Sequence, residues 1–252
     1  MSILQQLTVW EILLLTVASL GIGFSKSGFA GVSLLHVVVF AAVFGAKAST
    51  GILLPMLIVG DVCAIWAFGQ KVQWQHFLRL LPPTLLGVVI GTGLMKELDE
   101  SAFKPIVGVI ILGLASLQLY RIWRPEALAS LPESKLFAWT LGLLAGVATM
   151  MANAAGPIVA LYLLAVALPK LELVGTGAWL FLVVNICKLP FSYFALDLIS
   201  SKTLTVNLVF SPAIPLGMLA GAWCVHRIDQ KVFNILLLVF TAVVALRLLG
   251  LF

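Results

Sequence analysis

Lys26 stands between two serines in a glycine-rich run, GFSKSGFAGV (residues 23–32), with apolar sequence on both sides. An ammonium at membrane depth is costly and tends to be functional. Gly21, Gly23, Gly28 and Gly31 permit local unwinding, while Ser25 and Ser27 offer hydroxyl donors. A second interruption, MMANAAGPIVA (150–160), carries Asn153 and Gly156 ahead of Pro157, a residue suited to the first turn of a new helix. A helix starting after each break, 21–31 and 150–160, would aim backbone N–H groups and a positive dipole end inward. The chemistry such parts suit is capture of a small anion. Ser25, Lys26, Ser27, Gly28, Asn153, Ala155 and Gly156 are the candidate ligands. The competing structural reading has Lys26 snorkelling to an interface and the glycines serving close helix packing.

Further ionisable residues occupy the third segment of each half. Lys47 lies near the start of one, with Asp61 deep within it; Lys188 lies deep in the other, close to Asn185. Asp61 and Lys188 could pair across the halves, as a structural pair or in transport, and Asp61 is the candidate proton-coupling group. Asn185, Lys188 and Lys47 join the candidate substrate contacts. His36 reads as a satisfied packing histidine. Trp66, Trp179, Phe181 and Phe191 are cavity-lining candidates, although aromatic residues in a membrane bundle more often pack or mark interfaces. The three cysteines, Cys63, Cys187 and Cys224, are too scattered for a disulfide framework or a metal site. No enzyme signature appears, and no cofactor is expected.

The elements that would carry these residues are membrane segments. Apolar residues make up 62% of 252 positions and charged residues 10%, with mean hydropathy +1.16. Soluble domains have about 25% charged residues, so lipid must face much of this chain. Apolar segments fall near 8–23, 29–44, 46–68, 77–95, 103–122, 136–151, 155–168, 173–196, 204–225 and 231–251. The first resembles a secretory signal only in length; with Glu11 and no basic start it reads as a retained segment. Basic residues lie mostly in short loops and form no nucleic-acid-binding run.

An internal duplication appears at an offset of 130. Pro82, Gly87, Gly91, Asp99 and Phe103 match Pro212, Gly217, Gly221, Asp229 and Phe233 in one register, and Gly45 and Ala48 match Gly175 and Ala178. The chain therefore divides into a first repeat (1–123), a connecting loop (124–135) and a second repeat (136–252). Each repeat holds two short segments, either spanning or re-entrant, and three longer ones. An odd number of net crossings would turn the second copy upside down, as in many secondary transporters. The expected fold is an all-α polytopic membrane protein of 8–10 transmembrane helices, with two inverted repeats and broken or re-entrant helices at the midplane. The Gly87/Gly91 and Gly217/Gly221 spacings read as helix-contact faces. Counting basic residues by side gives eight against five and places both termini outside the cytoplasm.

The stretches GFSKSGFAGV (23–32), GQKVQWQHFLRLLPPTLLGVVIGTGL (69–94), NAAGPIVALYLL (153–164) and GTGAWLFLVVNICKLPF (175–191) resemble the sulfite exporter TauE/SafE family, also called the toluene sulfonate uptake permease family. Their order and spacing carry the likeness over nearly the whole chain. Lys26 between serines departs from the glycine-proline form frequent in the family. The resemblance implies a permease for small anions, often sulfite or sulfonates, in a bacterial inner membrane. The expected partners are a small anionic substrate, the lipid bilayer and, for the oligomer, a second copy of the chain; nucleic acid is not among them. A passive anion channel and a non-transporting scaffold protein are the alternatives.

Overall fold

The computed structural model describes residues 3–29, 32–124 and 134–224, with the side chains of Gln118, Arg121, Ile122 and Cys224 left aside. Without water to satisfy peptide groups, an apolar chain in lipid closes its hydrogen bonds within helices. The described residues are accordingly mostly helical, with no strand among them: α1 Val9–Lys26, α2 Ser33–Phe44, α3 Ala46–Phe68, α4 Trp74–Glu97, α5 Glu100–Trp123, α6 Lys135–Ala152, α7 Gly156–Ala165, α8 Lys170–Pro190, α9 Ser201–Phe210 and α10 Ala213–Cys224. Side-chain caps mark the helix starts where the chain leaves a loop. Thr8 and Glu11 form a capping box on α1, Asp99 caps α5, Ser134 caps α6 and Ser200 caps α9.

Among the described residues, seven stretches are long and apolar enough to cross a membrane: Val9–Lys26, Ala46–Lys71, Trp74–Glu97, Glu100–Leu117, Lys135–Ala152, Lys170–Ala195 and Ser201–Trp223. Trp10, Trp66, Phe194, Leu208 and Leu219 project from them fully exposed, as lipid-facing side chains do. The short helices differ. With 12 residues in α2 and 10 in α7, at about 1.5 Å per residue, neither alone spans a core of about 30 Å. The tenth expected segment, 231–251, lies outside the described residues, as do Asp229, Phe233 and nearly all of the 124–135 loop.

The order long, short, long, long recurs as α1–α4 and as α6, α7, α8 and the α9–α10 pair, and the contacts recur with it. Helix α4 packs on α6, and α10 packs on α1. At the first crossing a Cβ on Gly87 would run into the Leu143 carbonyl and Gly146; at the second, a Cβ on Gly217 would run into the Leu20 carbonyl. Gly91 against Met150, and Gly221 against Ser27, extend the same two faces. The small-residue spacings are thus contact faces, each joining one half of the chain to the other.

Helices α3 and α8 pack side by side in the centre. Near the start of α3, Gly51 lies against Leu198, just beyond α8; at the end of α3, the Phe68 carbonyl lies against Gly175, near the start of α8. The two therefore run antiparallel. Beside these ends the Gln73 side chain donates to Glu172 at 2.8 Å and the Trp179 indole donates to the Gly69 carbonyl at 3.1 Å. Trp179 thus anchors a loop, while Trp66 faces outward.

Candidate functional site

Both expected helix breaks are present, and both are narrower than the glycine content implies. Gly21 and Gly23 lie inside α1, which continues to Lys26. Gly23 is small for packing, since a Cβ there would strike the Ile214 carbonyl. Unwinding begins at Ser27, whose N–H closes on the Phe24 and Ser25 carbonyls, and Gly28 follows with φ 109°. In the second half α6 ends at Asn153, which takes the left-handed conformation at φ 51°, one that asparagine tolerates better than most residues. Helix α7 then starts at Gly156 with Pro157 in its first turn.

The two breaks face one cavity of about 100 Å³. Its walls include Ser25, Lys26, Gly28, Ser33 and His36 from the first half, and Thr149, Asn153, Ala155, Gly156, Phe181 and Asn185 from the second. At roughly 10–15 Å³ for each water held, this space suits several waters or one small ion. Ala155 and Gly156, where α7 starts, line it; contrary to the expected row of free donors, Pro157 carries no N–H and the Ile158 and Val159 N–H groups close on the Ala155 carbonyl at 3.0 Å. Ser25 donates to the Ile22 carbonyl at 2.7 Å while lining the cavity; Ser27 donates to Phe24 and does not line it.

A buried polar chain runs beneath this cavity. The Lys26 ammonium donates to Asp61 Oδ1 at 2.5 Å, and Asn185 Nδ2 donates to Asp61 Oδ2 at 2.7 Å. Lys188 Nζ donates to the Thr149 carbonyl at 2.8 Å and to Asn153 Oδ1 at 2.5 Å, with Thr149 Oγ1 at 3.2 Å and Asn185 Oδ1 at 3.5 Å. Asn153 Nδ2 donates to the Thr50 carbonyl at 2.9 Å. Asp61 is 0% exposed and Lys188 2%. Both carboxylate oxygens accept, and Lys188 meets several oxygens at once, the surroundings of an aspartate anion and an ammonium. Lys26 is 14% exposed on its side chain and lies 4.9 Å from the Phe181 ring centroid.

The direct pairing of Asp61 with Lys188 is replaced by Lys26–Asp61, with Asn185 placed between the carboxylate and Lys188. Helix α1 brings its last residue to the middle of α3, nearer to Asp61 than α8 brings Lys188. Lys47 stands apart from the cavity: its ammonium donates to the Leu98 carbonyl at 2.8 Å, tying the start of α3 to the end of α4. His36 was read as a satisfied packing residue, yet it lines the cavity, is 1% exposed, and its Nδ1 has no hydrogen-bond partner among the described residues. Phe181 lines the cavity as expected. Thr149 and Ser33 were missed; Thr149 lies one turn before Asn153 on α6, which is the signal that could have found it. Cys63 and Cys187 are free and half-buried, and no metal-ligating cluster occurs among the described residues.

No curated protein matches the chain significantly. A family model described as Sulfite exporter TauE/SafE matches residues 15–248, nearly the whole chain.

Proposed function

Because this chain belongs to the sulfite exporter TauE/SafE family, a family of multi-pass membrane transporters, we propose that it is a secondary transporter of small sulfur oxyanions and short sulfonates. One observation carries the reading: a small cavity between the halves presents a lysine ammonium from one helix break and the start of α7 from the other. Preorganised cationic and N–H donors in a water-poor site are what an oxyanion needs on leaving water. Ser25, Lys26, Gly28, Asn153, Ala155, Gly156 and Asn185 are the proposed substrate contacts. Ser27, Lys188 and Asp61 act from behind them, and Asp61 remains the proposed coupling group.

The proposed architecture is a pair of inverted repeats moving against each other so that the cavity opens alternately to the two sides. The antiparallel packing of the equivalent helices α3 and α8 supports inversion, as do the reciprocal glycine crossings. In this arrangement α1 with α2, and α6 with α7, enter and return on the same side.

The test is counterflow in proteoliposomes, with labelled sulfite outside and excess unlabelled anion inside. A carrier gives a saturable transient overshoot, and Lys26→Ala lowers uptake by about tenfold or more, as loss of one charge-assisted hydrogen bond implies. Linear, non-saturating flux would replace the carrier with a channel. Absence of any anion flux, with Lys26→Ala indistinguishable from the parent, would overturn the assignment.

A further inference from the structure

The charged groups around the cavity do not cancel. Lys26 ends α1, Asp61 lies on α3 and Lys188 lies on α8; Asp61 and Lys188 are buried and Lys26 is part-buried at the cavity, and these are the charged side chains of the cluster among the described residues. His36, from α2, is the other titratable wall group. Lys170 approaches Gly28 at the rim but is exposed, so water screens it. Asp61 accepts from Lys26 and Asn185, the partners of a carboxylate anion, and Lys188 sits among four oxygens, the partners of an ammonium. Two cations and one anion leave an excess of one positive charge in a largely buried cluster, where net charge is expensive.

Two cavity features show where the missing charge belongs. Among the described residues the Lys26 ammonium has one oxygen acceptor, Asp61, which leaves N–H groups for a ligand on the cavity side. The buried His36 Nδ1 has no partner among the described residues and lies in the same wall. Resting on the anion-carrier reading above, we propose that the cavity selects singly charged anions: a monoanion such as an alkylsulfonate or hydrogensulfite neutralises the cluster, and a dianion such as sulfate does not. A dianion would replace an excess of one positive charge with an excess of one negative charge and lose far more hydration on entry than a monoanion does. Asn185 and Asn153 hold this balance in place, each donating on one side and accepting on the other so that Asp61 and Lys188 keep their charges without touching.

Thermal unfolding of the purified full chain in detergent, with sodium methanesulfonate or sodium sulfate at matched ionic strength, tests the proposal. The parent is stabilised by methanesulfonate and, at equal concentration, far less by sulfate. Asp61→Asn leaves two uncompensated ammonium groups, so the sulfate-to-methanesulfonate affinity ratio rises on the order of tenfold. Lys188→Gln, which keeps an amide donor and removes the excess charge, lowers methanesulfonate affinity by a similar factor; it decides the matter if Asp61→Asn does not fold. Equal stabilisation of the parent by both anions, abolished by Lys26→Ala, would leave the anion site standing and overturn the charge selection. So would an unchanged ratio in Asp61→Asn, or unchanged affinity in Lys188→Gln. If neither anion nor sulfite stabilises the parent, the anion-carrier reading falls and this proposal falls with it.

Discussion

Asp61 has no exposed surface, and its two oxygens are held by one cation and one amide. Removing a single member of such a cluster strands charges that have no water to turn to. Asp61→Ala should therefore destabilise the protein by about 3–5 kcal/mol, and a second change, Lys26→Met, should recover part of that loss. A thermal or denaturant double-mutant cycle reads the coupling, and additive losses would show that the pair is not a unit. Asn153 joins two separable roles, a left-handed cap and an amide bridge between Lys188 and Thr50. Asn153→Gly keeps the backbone conformation and loses the bridge, at about 1–3 kcal/mol; Asn153→Ala adds about 1–2 kcal/mol for the left-handed alanine. At this scale the sequence exposes which residues are unusual but not which of them meet. Lys26, Asp61, Asn185 and Lys188 stand out because polar groups are rare in apolar segments. That Lys26 rather than Lys188 takes Asp61 depends on how far α1 reaches along α3, which no local pattern encodes. His36 was misread because a lone histidine looks the same whether it packs or borders a cavity.

Between helices, the glycines separate into those that admit a neighbour and those that do not. Gly146 lies against the Thr84 carbonyl and Gly87, whereas Gly93 meets nothing within 4 Å. Gly146→Ala should cost about 2 kcal/mol or more by forcing α4 and α6 apart. Gly93→Ala should be neutral to stabilising by up to about 1 kcal/mol, the helix-propensity gain of alanine. Comparable losses at both would mean that contact between α4 and α6 does not set the effect. The cap of α5 gives a pH signature. Hydrogen bonds from the Ala102 N–H and the Ser101 hydroxyl hold the Asp99 carboxyl below its usual range. A carboxylate depressed on folding stabilises above its unfolded value, about 3.9, and loses that contribution as pH falls through the folded one. Asp99→Asn should therefore flatten the acid limb of stability against pH below about 4. The segments themselves were legible because the solvent dictates them: apolar runs became helices, and Pro157 marked a helix start. The extent of the breaks was not, because a glycine that serves a tight crossing, as Gly23 does, has the same letter as one that serves a turn.

For the whole molecule, the consequence that matters most is the relative orientation of the halves, because alternating access at a shared cavity follows naturally from inversion and not from parallel copies. The proposed duplication rests on the register of Pro82, Gly87 and Gly91 against Pro212, Gly217 and Gly221. Its hand rested on whether the pair α6 and α7 returns to its starting side or counts as one broken crossing. Lys71 and Lys202, both exposed, precede α4 and the α9–α10 pair, which correspond in the two copies. If the halves are inverted as proposed, the chain from Lys71 crosses with α4, recrosses with α5, enters and returns with α6 and α7, and crosses once more with α8, which puts the two positions on opposite faces of the membrane. In a background with Cys63, Cys187 and Cys224 replaced by alanine, Lys71→Cys and Lys202→Cys should react with a membrane-impermeant maleimide from opposite sides. Labelling from the same side would make α6 and α7 a single crossing and the copies parallel. The antiparallel contact of α3 with α8 would then be inconsistent with the insertion of the chain in the membrane. Opposite-side labelling would place the cavity at a two-fold junction, where one anion can be released to either side by the same pair of motions.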